Sequence, residues 1–246
     1  MTRLPQYVTA PAHVAAADLG PVLVLVDYRS GAVHSLLAPA ATWWRRMADT
    51  GQVTTDHPRL AEQLIAAGLL LPTARPTPWP MPVTAPSVPP SWGSSEHPAG
   101  LTPPVKSPTV AAATAAAALS VVLTVKSGGP AQRAMRRVMT LVRLSSACTR
   151  RQASVEQAEH AVHAVRYAAR ALPGRVACLE ESAAVVVLLA ARRLSVTWCH
   201  GIAGDPVRLH AWVQTGCGLP VAEPESTSAY TALTMIAGGY RHDRSC

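Results

Sequence analysis

Arg175-Val176-Ala177-Cys178-Leu179-Glu180-Glu181-Ser182, then Leu209-His210-Ala211-Trp212-Val213, then Pro220-Val221-Ala222-Glu223 decide the fold of this chain. Pro173 and Gly174 break the backbone just upstream, and the residues from Leu179 to Arg193 favour helix, so Cys178 is expected at the first turn. There the unserved backbone N–H groups and the positive end of the helix dipole favour a thiolate. The same N–H groups can hold an oxyanion. The run Ala183–Ala191 is apolar on every side, which predicts a buried helix and a rigid mount for a nucleophile. An inert core cysteine is the plainer alternative. His210 lies 32 residues further on, in an alternating segment that reads as a strand. Gly216 and Gly218 mark a turn, and Leu219–Glu223 reads as the returning strand of a hairpin. Strand pairing then sets Glu223 beside the His210 ring. A cysteine, a histidine and an acid in this order are a nucleophile, a base and an orienting group. Glu225 takes the place of Glu223 if the hairpin register differs.

These residues resemble a known family. Leu172-Pro173-Gly174-Arg175-Val176-Ala177-Cys178-Leu179-Glu180 with Ser182, then Thr197-Trp198, Gly201, Pro206, His210-Ala211-Trp212-Val213 and Glu223-Pro224, are similar to the leader peptidase of lasso peptide biosynthesis. That family is transglutaminase-like, a rearranged relative of the papain architecture. The resemblance spans roughly residue 111 to the C-terminus and implies a triad of Cys178, His210 and Glu223.

The chain has 246 residues, enough for one large domain or two small ones. Hydrophobic residues are 49%, so a real core is possible; with no Phe, packing falls to Leu, Val and Trp. The formal net charge of +8 suits an acidic partner or a nucleic acid. No zinc finger, phosphate loop or RNA-binding signature accompanies it, and the basic run Arg133–Arg151 reads as a solvated helix face, so no nucleic-acid partner is expected. Cys199-His200 lacks a second spaced pair, so neither a metal nor a cofactor is expected. Five cysteines without a CxxC and an N-terminus without an apolar signal core imply a reducing cytoplasm and no disulfide framework. The apolar run Val110–Val125 is short of the roughly 20 residues a span needs, so no transmembrane segment is expected.

Residues 1–72 read as a separate small domain. Val22–Asp27 and Ala32–Leu36 form a hairpin about Tyr28–Gly31, and His13–Ala17 adds a third strand. Helices follow at Ala40–Ala48, with Trp43 and Trp44, and after Asp56 as N-cap, with Pro58 in the first turn and Gly68 as C-cap. This unit resembles the small winged-helix-like recognition element of peptide-modifying enzymes, on Leu25-Val26-Asp27 with Gly31, Ser35-Leu36-Leu37 and the closing Gly68-Leu69-Leu70. DNA binding is the alternative, but the second helix carries Arg59 as its sole cation. A bound peptide would add a strand at the hairpin edge, over a groove of Val24, Val26, Val33, His34, Leu36, Leu60 and Leu64. Thr73–Pro108 is proline-rich and reads as a linker. The second domain, 109–246, begins with helices at Ala111–Val125, Ala131–Leu144 and Ser154–Ala171, the last with a Ser154–Gln157 capping box.

The expected fold class is therefore α+β: a recognition domain joined to a transglutaminase-like peptidase domain. The expected function is a cysteine protease that binds the leader of a ribosomally made precursor peptide and removes it. By resemblance, an asparagine-synthetase-like cyclase then receives the core to close the lasso. The alternatives are transglutaminase-like amide transfer and a non-catalytic leader-binding adaptor.

Overall fold

The structure is a computed structural model, which describes residues 4–54, 56–85, 108–172, 176–204 and 206–238. The chain forms two compact units, Met1–Ser87 and Val88–Cys246.

The first unit contains β1 (Tyr7–Thr9), β2 (Val14–Asp18), β3 (Val22–Asp27), β4 (Val33–Leu37), α1 (Ala40–Thr50), α2 (Pro58–Ala66), β5 (Leu71–Thr73) and β6 (Val83–Thr84). Strands β4, β3 and β2 form an antiparallel meander, β6 joins β2 in parallel, and β1 pairs with β5. The expected hairpin is present. Its turn is tied by the Asp27 carboxylate, which accepts from the Arg29 N–H at 2.8 Å and the Ser30 hydroxyl at 2.5 Å. Asp27 and Ser30 thus supply locally the bonds that a turn leaves unmade. The core gathers Leu23, Leu25, Leu36, Trp43, Trp44 and Met47 with Leu64, Leu69 and Leu70. Arg45 clamps α1 to the sheet through both carboxylate oxygens of Asp18, at 2.7 and 2.8 Å.

Two expectations are corrected here. Asp56 does not cap α2: His57 holds the N-cap position, and the Asp56 carboxylate is drawn instead to Arg46 at 3.0 Å. The linker does not begin at Thr73. Trp79 is buried edge-on against Trp44, with ring centroids 5.5 Å apart, and its backbone N–H donates to the Ala48 carbonyl. The chain reaches that place by crossing Gly51, where a Cβ would stand 2.5 Å from the Thr77 nitrogen. Gly51 is also the left-handed C-cap of α1, with φ 67°. Proline richness could not show that Trp79 is an anchor. The rest of the expected linker, 86–107, lies outside the described residues.

The second unit contains α3 (Thr109–Ser127), a 3₁₀ turn at Ala131–Arg133, α4 (Ala134–Ala147), β7 (Arg151–Gln152), α5 (Val155–Ala171), α6 (Cys178–Ala190), β8 (Leu194–Ser195), β9 (Thr197–Ala203), β10 (Arg208–Gln214) and β11 (Thr231–Ile236). Helix α6 packs against α3, α4, α5 and β10, and nine of its thirteen residues are buried, so it is the axis of the unit. The Ser154–Gln157 capping box is formed, with bonds of 3.2 and 3.1 Å. Strand β9 is central, with β10 and β11 antiparallel on either side, and all seven of its residues are buried. The Trp198 indole N–H donates to the Ser182 hydroxyl at 2.9 Å, pinning β9 to α6. Helix α3 is longer than the apolar run within it, and by length and composition it is long enough to cross a membrane. It packs on α4, α5 and α6 through Ala115, Ala118, Leu119 and Val122. Cys148, Cys178 and Cys199 are free, whereas Cys217 is disulfide-bonded, an exception to the expected absence of disulfides.

Candidate active site

Cys178 is the first residue of α6, after the extended residue Ala177. The Glu180 carboxylate accepts the Ala177 N–H at 3.1 Å and pairs with Lys126 from α3, which fixes the entry to the turn. The Glu180 N–H bonds the Ala177 carbonyl at 3.1 Å, so the Cys178 and Leu179 N–H groups are the ones that no earlier helical carbonyl serves and that can face a sulfur or an oxyanion. The Leu179 N–H and the Ala211 N–H of β10 both bond the Cys178 sulfur.

His210 stands on β10, opposite Gly201 of β9. Its ring stacks on Trp212, two residues on and therefore on the same face, at 5.8 Å and 12°, and Tyr230 closes another side at 5.2 Å. Gly201 is what lets Trp212 lie there, because a Cβ would meet the indole at 2.7 Å. The Nε2–H of His210 donates to Glu223 Oε2 at 2.9 Å, which leaves Nδ1 for Cys178.

Glu223 arrives by a different route from the expected one. Leu219–Glu223 is no strand: a single bridge joins Pro220 to Gln214, and Val221 bonds Val213. Ala222 then takes a left-handed conformation, φ 51°, and turns the chain so that Glu223 meets the imidazole. Arg166 of α5 holds this bend, donating to the Ala222 carbonyl at 2.6 Å and to Glu223 Oε1 at 2.5 Å. The Thr227 hydroxyl donates to Glu223 Oε2 at 3.4 Å. Glu225 is exposed and begins a 3₁₀ turn.

The proton affinities follow from this geometry. Burial alone pushes the Cys178 thiol up, but the His210 hydrogen bond, the Ala211 N–H, the imidazolium charge and the Leu179 N–H together bring it below its ordinary value. Burial pulls His210 down, yet its bonds to Cys178 and Glu223 and the charges of both raise it to about 9. Both shifts run in the direction that favours a thiolate beside an imidazolium over the neutral pair. The neighbouring candidates differ: burial pushes Cys199 up to about 12 and, with the His210 charge, pulls His200 down to about 4. Both are buried and neither lines the pocket over Cys178. Burial also raises Glu181, one turn beyond Cys178; Arg166, 3.7 Å away, opposes the rise. The pocket over these groups is small, about 40 Å³, with Val162, Val185 and Trp212 among its walls.

The structure therefore brings Cys178, His210 and Glu223 together. It does not gather the seven residues expected to form a peptide groove. Val24, Val26, Leu36 and Leu64 are buried, Val33 is exposed, and His34 and Leu60 are half-buried. Val24 and Val26 alternate with the core residues Leu23 and Leu25 and so face the other side of the sheet. Sequence reasoning missed Arg166, Thr227 and Tyr230. Arg166 had a signal, since it continues the buried stripe Ala158, Val162 at spacings of four, where a solvated arginine has no place.

Residues 110–235, just over half of the chain, match the transglutaminase-like superfamily. No curated protein and no solved structure matches the chain.

Proposed function

The chain belongs to the transglutaminase-like superfamily, and on that premise we propose that it is a cysteine protease that removes the leader of a ribosomally made precursor peptide during lasso peptide maturation. The family's chemistry is of the cysteine protease or amide-transfer type, and both begin with acyl transfer to a thiolate. The observation that carries the reading is the Cys178–His210–Glu223 arrangement at the start of a buried helix. In the proposed reaction the Cys178 thiolate attacks the scissile carbonyl carbon, and the oxyanion is held by the Cys178 N–H and a neighbouring one. His210 gives its Nδ1 proton to the leaving amine as the C–N bond breaks. Water then attacks the thioester, His210 takes its proton, and the carboxylate product and Cys178 are released.

In this proposal the first unit is the substrate handle. Strand β4 is the outer strand of its sheet and carries exposed Val33 and Leu37, so an extended leader can pair along it. Joining the units in one chain replaces a bimolecular encounter by an effective concentration that reaches about millimolar for a suitable span. The freed core then passes to an asparagine-synthetase-like cyclase.

The test is incubation of the chain, and of Cys178→Ala, with the precursor peptide under mass spectrometry. A single cut with gain of one water, lost in Cys178→Ala, is expected. Products carrying an added primary amine in place of water would establish transfer, and an intact peptide that stays bound would establish an adaptor.

A further inference from the structure

The charge of this chain is concentrated in one stretch. Between Glu96 and Glu156 stand eight Lys and Arg and no Asp or Glu, while the other fourteen cations equal the fourteen acids in number. The whole net charge of +8 therefore lies there. Helix α4 and the 3₁₀ turn before it display part of it: Arg133, Arg136 and Arg143 are exposed and, among the described residues, take part in no ion pair.

Beside these arginines is a groove of about 540 Å³ between the end of α3 and α4, far roomier than the pocket at Cys178. Val125, Leu141 and Leu144 give it apolar walls, Arg133 and Arg136 stand at its rim, and Leu144 is 63% exposed. Its shape is fixed by Arg137, whose guanidinium donates to the carbonyls of Val125, at 2.8 Å, and Pro130, at 3.1 Å. Arg137 is thus a structural strut, whereas its neighbours are left to face a ligand.

We propose that this groove binds an acidic peptide segment that carries an aliphatic anchor side chain. Carboxylates meet the arginine rim and the anchor enters between Val125, Leu141 and Leu144. Two other anionic partners fit less well. A membrane surface calls for apolar side chains that project outward, whereas these line a concavity. Single-stranded nucleic acid calls for aromatic platforms, and no Phe, Tyr or Trp occurs between Trp92 and Tyr167. The site adjoins the catalytic turn without belonging to it: Lys126, next to Val125, pairs with Glu180 two residues after Cys178. The proposal stands whether or not Cys178 cuts peptides.

The test is fluorescence anisotropy on the full chain with three labelled synthetic peptides. One is Glu-rich with leucines at helical spacing, one has those leucines replaced by Ser, and one has the Glu replaced by Lys. The first should bind at least about tenfold more tightly than either of the others. Arg133→Glu with Arg136→Glu should weaken it by about tenfold or more, and added salt should do the same. Leu144→Gln, which leaves the charge unchanged, should also weaken it by about tenfold. If the doubly reversed chain does not fold, Arg133→Gln with Arg136→Gln reads the same contribution. Equal binding of the leucine and serine peptides, or an unaffected Leu144→Gln chain, overturns the proposal, as bare charge would then explain the affinity. Tighter binding to vesicles containing phosphatidylserine, or to single-stranded RNA, that displaces the peptide overturns it as well.

Discussion

Glu223→Gln replaces two acceptor oxygens by one oxygen and one NH₂, in a place where both partners are donors. Arg166 has no lone pair to offer, so the amide oxygen must face it and the NH₂ must face His210 Nε2. Nε2 can then accept only if it is unprotonated, which leaves the proton on Nδ1 and disfavours the imidazolium. A charge-assisted hydrogen bond is worth about 1.5–3 kcal/mol. At about 1.4 kcal/mol per pKa unit, that corresponds to about one to two units. His210 should fall from about 9, and Cys178 should move back up toward an ordinary thiol. The thiolate–imidazolium form then loses about ten- to a hundredfold against the neutral form. The assay needs no substrate: iodoacetamide labelling of Cys178 is followed by mass spectrometry as a function of pH. The native chain should label at Cys178 well below the pH at which a free thiol reacts. In Glu223→Gln the labelling curve should shift to higher pH, while Glu225→Gln leaves it unchanged. An unshifted curve in Glu223→Gln would refute the assignment of Glu223 as the orienting acid.

Arg166→Met should slow turnover by about tenfold, because it frees the bend at Ala222 that aims Glu223, and Arg166→Lys should recover only part of the loss since it keeps the charge but not the fork. The measurement is kcat on the precursor, alongside the same labelling curve. In the native chain kcat/KM should rise with pH as Cys178 ionises and fall as His210 loses its proton near pH 9; a profile still rising through that pH would contradict the ion pair. Among the free cysteines, labelling at neutral pH should favour Cys178 over Cys199, which is fully buried and pushed up to about 12. Trp79→Ala should cost the first unit about 3–5 kcal/mol, read by urea denaturation. A loss under about 1 kcal/mol would mean that the packing on Trp44 is superficial.

Much of the site was legible because its parts announce themselves locally. A breaker before an apolar helix fixed the place of Cys178, and alternation fixed the β10 strand of His210. Glu223 meets His210 by a route the sequence did not show: no hairpin strand carries it, and the left-handed turn at Ala222 has no glycine to betray it. Arg166 is remote in sequence from both partners, 57 residues before Glu223, and only the packing of α5 beside α6 brings it there. Val24, Val26, Leu36 and Leu64 are buried, which the sequence could not show, because an apolar strand with both faces covered looks the same as one with an open face. In the linker, Trp79 needed a receiving surface, and a composition reading contains none.

Because β6 and Trp79 belong to the first unit, the chain leaving it starts from a seam rather than a firm edge. Strand β6 is two residues long and pairs with β2 alone. A pull on the chain beyond Ala85 loads that short pairing first and then the Trp79–Trp44 contact. Each residue peeled away adds up to about 3.4 Å of reach. The stretch from Trp79 to Thr84 is thus a short length of chain held on the first unit by two small contacts, released one after the other as load rises and restored when Trp79 returns to its place against Trp44.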